Sequence, residues 1–217
     1  MAEKIAKTYL VYDLIYVAAG IPGLIFFRPK NVYVNENAKK RIKGGAIVIA
    51  NHSGLVDPVY LMLTIRYRRH HFVCLESFFN GRFRGWLFSQ FHCIPINREN
   101  FSLGQLKRIT GELEKGHMVS MFPEGHVSRE NLSPFKSGVI LMALRSKKPI
   151  IPVYVMPRKH WYNRLLAFIG EPYSVVDDIG EKPAMGKIDL AAQTLEQKAR
   201  ELSLLAQEYA AKRRKGT

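Results

Sequence analysis

The sequence predicts an α/β fold in which one mostly parallel sheet is covered by helices on both sides. Two observations carry this prediction. Short, uniformly apolar runs recur along the chain, and segments with apolar residues at helical spacing separate them. The chain has 217 residues, 47% of them hydrophobic, and no internal repeat or Ser/Gly-rich linker. One domain with a single core is therefore expected to hold these elements.

Five apolar runs are the predicted strands: residues 46–50, 71–75, 92–96, 118–122 and 149–155. Asp57 as N-cap and Pro58 at the next position predict a helix that continues to about Arg66. Ser102 and Gly116 are expected to begin and end the next helix. A further helix is predicted over 135–145. A long closing helix is predicted to carry on one face Leu195, Ala199, Leu202, Leu205 and Tyr209.

The first 30 residues are predicted to be a separate helical segment that lies at a membrane interface. Residues 9–27 are apolar except for Asp13, and the GIPG sequence at 20–23 predicts a turn or kink. Aromatic residues at both ends with Lys and Arg beyond them are typical of an interfacial anchor. Two short helices in one leaflet are favoured over a spanning helix or a signal peptide. Packing on the protein's own core is the alternative, and residues 31–217 form the expected main domain.

Net charge indicates the kind of partner. The chain has 33 Lys and Arg against 18 Asp and Glu, a net charge of +15. Such a surplus implies an acidic partner, which is a nucleic acid, an anionic membrane or a phosphorylated substrate. No aromatic RNA-binding signature or helix-turn-helix pattern is evident, so nucleic acid is not the expected partner.

The two cysteines, Cys74 and Cys93, lie in apolar runs. They form no CxxC pair and have no histidine at ligand spacing. We therefore expect two reduced thiols in the core and no metal site.

Polar stretches follow three of the predicted strands. NHSGLVD follows 46–50, NREN follows 92–96, and PEGHVSR follows 118–122. Ligands of parallel sheets bind beyond the carboxyl ends of the strands. The three stretches are therefore expected to converge on one crevice.

The first of these stretches contains a candidate general base, His52. A neutral imidazole can take a proton from an alcohol as the oxygen attacks a carbonyl group. A carboxylate at the other ring nitrogen would fix the tautomer and stabilise the imidazolium. Asp57 is placed for this role if the loop folds back, but an aspartate before Pro58 also suits a simple helix N-cap. The residues alone leave both roles open.

The other two stretches contain candidates for binding a substrate. The guanidinium of Arg98 matches the geometry of phosphate oxygens, with an exposed salt bridge as the alternative. Glu124 lies between Pro123, which stiffens the chain, and Gly125, which allows a close approach, although the same residues also suit a plain turn. No GxSxG motif and no cysteine nucleophile with a nearby histidine is found, so no covalent enzyme intermediate is predicted.

These stretches resemble four sequence blocks of the 1-acylglycerol-3-phosphate acyltransferase (PlsC-like) family, in the family's order. NHSGLVD resembles the NHxSxxD form of the HxxxxD motif, and FPEGHVSR resembles FPEGTRS. IPINR is similar to the second block and PIIPV to the fourth. The blocks extend over residues 51–153. HxxxxD together with FPEG at this separation is a specific combination.

The resemblance implies a membrane-bound enzyme that needs no cofactor or metal. It would move an acyl chain from acyl-CoA or acyl carrier protein to a lysophospholipid hydroxyl, with 1-acylglycerol-3-phosphate as the expected acceptor and phosphatidate as the product. By position, His52 would be the base, Asp57 its partner and Arg98 the residue that holds the phosphate. The acceptor site would be lined by Glu124, Gly125 and Ser128. The expected location is the cytosolic face of a membrane, with monotopic or peripheral attachment.

Three positions depart from the family's pattern. Gly54 stands where the family usually has serine, His126 and Val127 replace Thr-Arg, and Leu75 stands where a lysine is common. These changes keep the base and leave the acceptor open. Another lysophospholipid, a lyso-ornithine lipid and glycerol-3-phosphate are alternatives within the same chemistry. A non-catalytic basic module that binds nucleic acid or anionic membrane is the alternative outside it.

Overall fold

The structure, a computed structural model, describes residues 8–124, 135, 137–158, 160 and 162–215. In chain order the strands are β1 (Lys30–Tyr33), β2 (Ala46–Ala50), β3 (His70–Leu75), β4 (Ile94–Ile96), β5 (Met118–Met121), β6 (Ile150–Val155) and β7 (Leu166–Ile169). The helices are α1 (Leu10–Ile15), α2 (Ile21–Phe27), α3 (Glu36–Lys39), α4 (Asp57–Thr64), α5 (Arg82–Gln90), α6 (Leu103–Glu114), α7 (Gly138–Ser146), α8 (Val175–Ile179) and α9 (Met185–Lys215).

The predicted mostly parallel sheet is confirmed. All seven strands form one sheet in the order β1-β7-β6-β2-β5-β3-β4, and every neighbouring pair is parallel except β6 with β7. The five predicted strands are β2 to β6, with ends that differ by no more than two residues. The sequence did not predict β1 or β7, which run against the other five strands at one side of the sheet.

Helices cover both faces of the sheet, as predicted. On one face, alternate residues of β2 and β5 such as Ile47 and Val119 pack against apolar residues of α6, α7, α8 and α9. On the other face, Val48 and Met118 pack with Leu61 of α4 and with partly buried residues of α2 and α5. Strands buried on both faces are uniformly apolar, which explains why β2 reads as AIVIA.

Both ends of α6 have the capping residues that the sequence predicts. Ser102 caps α6 by accepting a hydrogen bond from the Gln105 N–H, and Gln105 returns a bond to the Ser102 backbone. Gly116 follows this helix with a φ of 86°, a left-handed conformation that favours glycine. The helix predicted over 135–145 begins later, at Gly138.

The N-terminal segment is continuously helical, so a turn at GIPG, one of the two predicted outcomes, is wrong. A π-helical turn, Tyr16–Gly20, joins α1 to α2. This wider turn lies just before Pro22, the residue that cannot donate to the helix, so the chain passes the proline without a turn. Leu10–Phe27 is apolar enough and, at 18 residues, long enough to cross a membrane by length and composition. Two of these residues, Tyr12 and Gly20, are buried against the domain, so the segment packs on the core along one face, and its other residues are exposed or half-buried. The domain boundary at residue 30 stays a prediction.

Candidate active site

The carboxyl ends of β2, β4 and β5 bring three sequence-predicted residues to the same edge of the sheet. His52 follows β2, Arg98 follows β4, and Glu124 follows β5. Asn51 fixes the start of the first loop, because its side chain donates to the Val155 carbonyl oxygen at 3.1 Å and accepts from the Val155 N–H at 2.7 Å. This clamp ties the end of β2 to the end of β6, so the position of His52 is set by two strands.

His52 and Asp57 form a direct pair. The Nδ1 of His52 lies 2.9 Å from Oδ2 of Asp57, and the carboxylate is 2% exposed. An ionised carboxylate only accepts, so Nδ1 carries the proton of this bond and Nε2 keeps the lone pair. Nε2 is therefore the ring nitrogen that can act as a base. The His52 side chain is 19% exposed, which leaves it reachable from solvent.

The backbone of the loop also binds the Asp57 carboxylate. Oδ2 accepts hydrogen bonds from the N–H groups of Ser53, at 2.6 Å, and Gly54, at 2.8 Å. Asp57 is the first residue of α4 and Val56 precedes the helix, with no side-chain cap. The prediction of Asp57 as a helix N-cap is thus wrong, because its carboxylate binds N–H groups that precede the helix. The loop folds back around the carboxylate and presents His52 to it.

The hydroxyl of Ser53, one place before Gly54, compensates for the serine that the family usually has at position 54. The Ser53 hydroxyl donates to Oδ1 of Asp57 at 3.3 Å, so the carboxylate has a hydroxyl partner although position 54 is glycine. A Cβ added at Gly54 would meet no atom of the described residues within 4 Å, its two chain neighbours aside. Space therefore does not require glycine at this position.

Phe122 and Glu124 complete the surroundings of the histidine. The Phe122 ring stacks on the His52 imidazole with centroids 4.3 Å apart and planes at 18°. The buried Glu124 accepts a long hydrogen bond of 3.4 Å from the His52 backbone N–H through Oε1. Phe122 was not predicted as a site residue, although its place in FPEG, directly after β5, was a usable signal.

Arg98 lies beside Glu124, and its guanidinium Nη2 donates to the Glu124 carbonyl oxygen at 3.4 Å. The structure therefore brings together four of the predicted residues: His52, Asp57, Arg98 and Glu124. Gly125 and Ser128 lie outside the described residues, and so do His126 and Val127.

A second cation, Arg158, follows β6 at this edge and was missed by sequence reasoning. Its Nη1 donates to the Tyr60 hydroxyl at 3.2 Å, and its guanidinium carbon lies 4.7 Å from the centre of the Phe27 ring. Its Nη2 is buried and has no hydrogen-bond partner among the residues that the structure describes. A partly exposed guanidinium with an unused donor is suited to bind an anion.

Comparison with known proteins places this site in a family. The model of the acyltransferase family matches residues 30–156, more than half of the chain. The chain belongs to the acyltransferase family. The match includes His52, Asp57, Arg98, Glu124 and Gly125, and the resemblance to a PlsC-like family is confirmed.

This acyltransferase is similar to curated members of the family. It is 27% identical over 176 residues to the 1-acyl-sn-glycerol-3-phosphate acyltransferase of Bacillus subtilis (strain 168), which covers 79% of the chain and 86% of that protein. It is 32% identical over 108 residues to the Streptococcus pneumoniae enzyme of the same name, covering 49% of the chain and 40% of that protein.

The fold of the acyltransferase is also found in a solved structure. The crystal structure of the 1-acyl-sn-glycerophosphate (LPA) acyltransferase PlsC from Thermotoga maritima matches with a TM-score of 0.60 and 18% identity, over 86% of this chain and 76% of that one. At 18% identity, this match shows that the two proteins share the α/β fold.

Proposed function

We propose that the chain transfers an acyl group from the thioester of acyl-CoA or acyl carrier protein to the hydroxyl of 1-acylglycerol-3-phosphate, giving phosphatidate and a free thiol. The observation that carries this proposal is the His52–Asp57 pair, with Nδ1 bound to a buried carboxylate that two loop N–H groups also bind. The names of the curated relatives support the choice of acceptor.

In the proposed reaction, His52 Nε2 accepts the proton of the acceptor hydroxyl while its oxygen attacks the thioester carbonyl carbon. Asp57 holds the ring in the required tautomer and stabilises the imidazolium. The C–S bond then breaks, and the imidazolium returns its proton to the leaving thiolate. The ester product and the thiol balance the two substrates, so the reaction needs no cofactor.

Binding of the acceptor is assigned to the residues around the pair. Arg98 would hold the phosphate, as the resemblance implies, and Arg158 supplies a second guanidinium at the same edge. Glu124, Gly125 and Ser128 would line the acceptor site. The buried Glu124 carboxylate and the stacked Phe122 limit the directions from which a hydroxyl can reach His52.

Two features support action at a membrane. The N-terminal helix exposes five aliphatic side chains at helical spacing: Leu10, Leu14, Val17, Ile21 and Ile25. Beside the pair, Leu55 is 83% exposed and Val56 50% exposed. Exposed apolar groups near basic residues suit a lipid surface. We place the enzyme at the cytosolic face of the membrane, where the lipid acceptor and the acidic donor are both available.

The proposal is tested with purified protein, a labelled acyl-CoA and a panel of lysolipids presented in vesicles. Phosphatidate formed from 1-acylglycerol-3-phosphate at a higher kcat/KM than any other product is the expected result. Preference for a different lysolipid or for glycerol-3-phosphate would support the acyl transfer but contradict 1-acylglycerol-3-phosphate as the acceptor. No ester product from any acceptor, with either acyl-CoA or acyl carrier protein as donor, would favour a non-catalytic binding module.

A further inference from the structure

A second cluster of titratable side chains lies at the amino ends of β3 and β5, at the edge of the sheet opposite the catalytic pair. It consists of His71, which is 1% exposed, Glu112 in the last turn of α6, and His117 just before β5. One nitrogen of each ring and one carboxylate oxygen lie within 4.8 Å of one another. The proposed acyl transfer does not use these residues.

The two imidazole rings face the same two partners. Nδ1 of His117 lies 2.7 Å and Nδ1 of His71 3.4 Å from Oε2 of Glu112. On their other sides, Nε2 of His71 and Nε2 of His117 lie 3.0 and 3.3 Å from the Tyr9 hydroxyl. The rings are stacked, with centroids 4.4 Å apart.

Neutral histidines cannot satisfy all four contacts. If both rings carry their proton on Nδ1, both Nε2 lone pairs face the Tyr9 hydroxyl, which has a single proton to donate. If one ring carries it on Nε2, the Nδ1 lone pair of that ring faces the Glu112 carboxylate. The contact at risk is the longer one, because His71 Nδ1 is buried 3.4 Å from Oε2 and makes no hydrogen bond within the described part of the chain. The cluster is therefore short of one cation between the two Nδ1 atoms and Oε2.

A bound metal ion would satisfy every contact once the two stacked rings, whose planes are now at 28°, turn so that both Nδ1 lone pairs point at it. With both Nδ1 atoms and Oε2 as ligands, both rings carry their proton on Nε2, and the Tyr9 oxygen accepts from both. Histidines that bind metals commonly donate their other N–H to a polar group in this manner. Two imidazoles and a carboxylate are a ligand set of zinc, with Zn–N near 2.0–2.1 Å, so ligand atoms lie about 3.3 Å apart in a tetrahedral site. The His71 contact of 3.4 Å already meets that spacing, while the His117 contact would widen.

We propose that His71, Glu112 and His117 bind a Zn²⁺ ion whose fourth ligand is water, with Tyr9 as the hydrogen-bond partner of both imidazoles. Lys115 shares the carboxylate through Oε1, at 2.7 Å, and leaves Oε2 to the ion. The proposal departs from the sequence-based expectation of no metal site, which considered only ligands close together in the chain.

The site would fasten the N-terminal helix to the main domain. Tyr9 directly precedes α1, and it also stacks on His92 with centroids 3.9 Å apart. An ion that orients both imidazoles also orients the two N–H groups that bind Tyr9. Zinc is therefore expected to stabilise the docked helix without taking part in acyl transfer.

The test is a Zn²⁺ titration of tag-free full-length protein after treatment with a chelator, followed by Co²⁺ substitution. The expected result is one Zn²⁺ per chain, a melting temperature that rises with zinc and falls with chelator, and the strong visible absorption of four-coordinate Co²⁺. His117→Ala removes a half-exposed ligand and should weaken binding more than about a hundredfold, since loss of an outer partner alone costs about 10–100-fold. Tyr9→Phe removes only such an outer partner, so it should weaken zinc binding about 10–100-fold. His160→Ala, at an exposed histidine outside the cluster, is the matched control.

Absence of zinc binding by the wild type would overturn the proposal and assign the missing charge to a proton. Binding of equal strength by His117→Ala would also overturn it, because the ion would then lie elsewhere. If His117→Ala fails to fold, as judged by circular dichroism, the Co²⁺ spectrum of the wild type decides, and weak six-coordinate absorption contradicts the site. None of these measurements uses acyl transfer, so they are independent of the proposed function.

Discussion

At the scale of residues, the Asp57 carboxylate organises the loop that carries His52. One oxygen, Oδ2, accepts from His52 Nδ1 and from two backbone N–H groups, while Oδ1 accepts from the Ser53 hydroxyl. The sequence motif predicts the pair but not these partners, because HxxxxD fixes spacing and leaves the path of the loop undetermined. Arg158 could not be assigned from sequence for a related reason, since its role depends on which strand ends are neighbours.

Arg98→Ala tests the assignment of the acceptor phosphate. If the guanidinium binds a phosphate, its loss removes about 1.5–3 kcal/mol, so kcat/KM for 1-acylglycerol-3-phosphate should fall about 10–100-fold. The value for an uncharged acceptor should fall much less. The measurement is a steady-state comparison of both acceptors, with Arg145→Ala, an exposed arginine on α7, as the control. Equal losses on both acceptors would assign Arg98 to structure.

At the scale of elements, the N-terminal helix has two apolar faces with different surroundings. Tyr12 and Gly20 are buried against the domain, and a Cβ added at Gly23 would lie 3.4 Å from Leu63 of α4. The opposite face exposes an aliphatic stripe, which consists of Leu10, Leu14, Val17, Ile21 and Ile25. Composition predicted an apolar helix with basic flanks, but a helix that is apolar on every side gives no indication of which face contacts the protein.

Replacing two residues of the stripe should release the protein from membranes. Leu14 and Ile21 are 67% and 52% exposed, so the change of both to glutamine should leave the fold intact. Each large aliphatic side chain contributes about 1.5 kcal/mol or more on burial, so vesicle binding should weaken about a hundredfold. Vesicle co-sedimentation measures this, with Leu204→Gln, an equally exposed change on α9, as the control. Unchanged binding by the double variant would place the membrane contact elsewhere.

At the scale of the whole molecule, the N-terminal helix connects the two edges of the sheet. Its start lies at the histidine cluster, through Tyr9, and its end at the candidate active site, where Phe27 contacts Tyr60 and Arg158. Its 18 residues extend about 27 Å, which is close to the thickness of a bilayer's hydrocarbon core. A helix fixed at both ends holds its exposed aliphatic side chains at a constant position relative to His52, as the proposed membrane attachment requires.

The sequence predicts the sheet and the catalytic edge well because apolar runs and motif spacing are local signals. Other features depend on contacts between distant residues. Strand β1, with the sequence KNVY, contains no apolar run, whereas the four apolar residues of β7, LAFI, were a usable signal. The two strands pair only with each other and with β6. The cluster of His71, Glu112 and His117 joins residues up to 46 positions apart, so spacing rules that detect metal ligands along the chain cannot find it.

The central claim is that Asp57 and His52 act as one catalytic unit, and Asp57→Asn tests it most directly. The amide oxygen can take the place of Oδ2, since the Ser53 and Gly54 N–H groups point there, and the amide nitrogen can donate to the Ser53 hydroxyl. The loop and the His52 tautomer are then retained, and the negative charge that stabilises the imidazolium is lost.

With folding matched by circular dichroism and thermal melting, we expect kcat of the Asp57→Asn variant for acyl transfer to fall about 10²–10⁴-fold. His52→Ala should be as inactive and the double variant little worse, while Asp189→Asn on the exposed face of α9 should be unaffected. Turnover of Asp57→Asn close to that of the wild type would contradict the account.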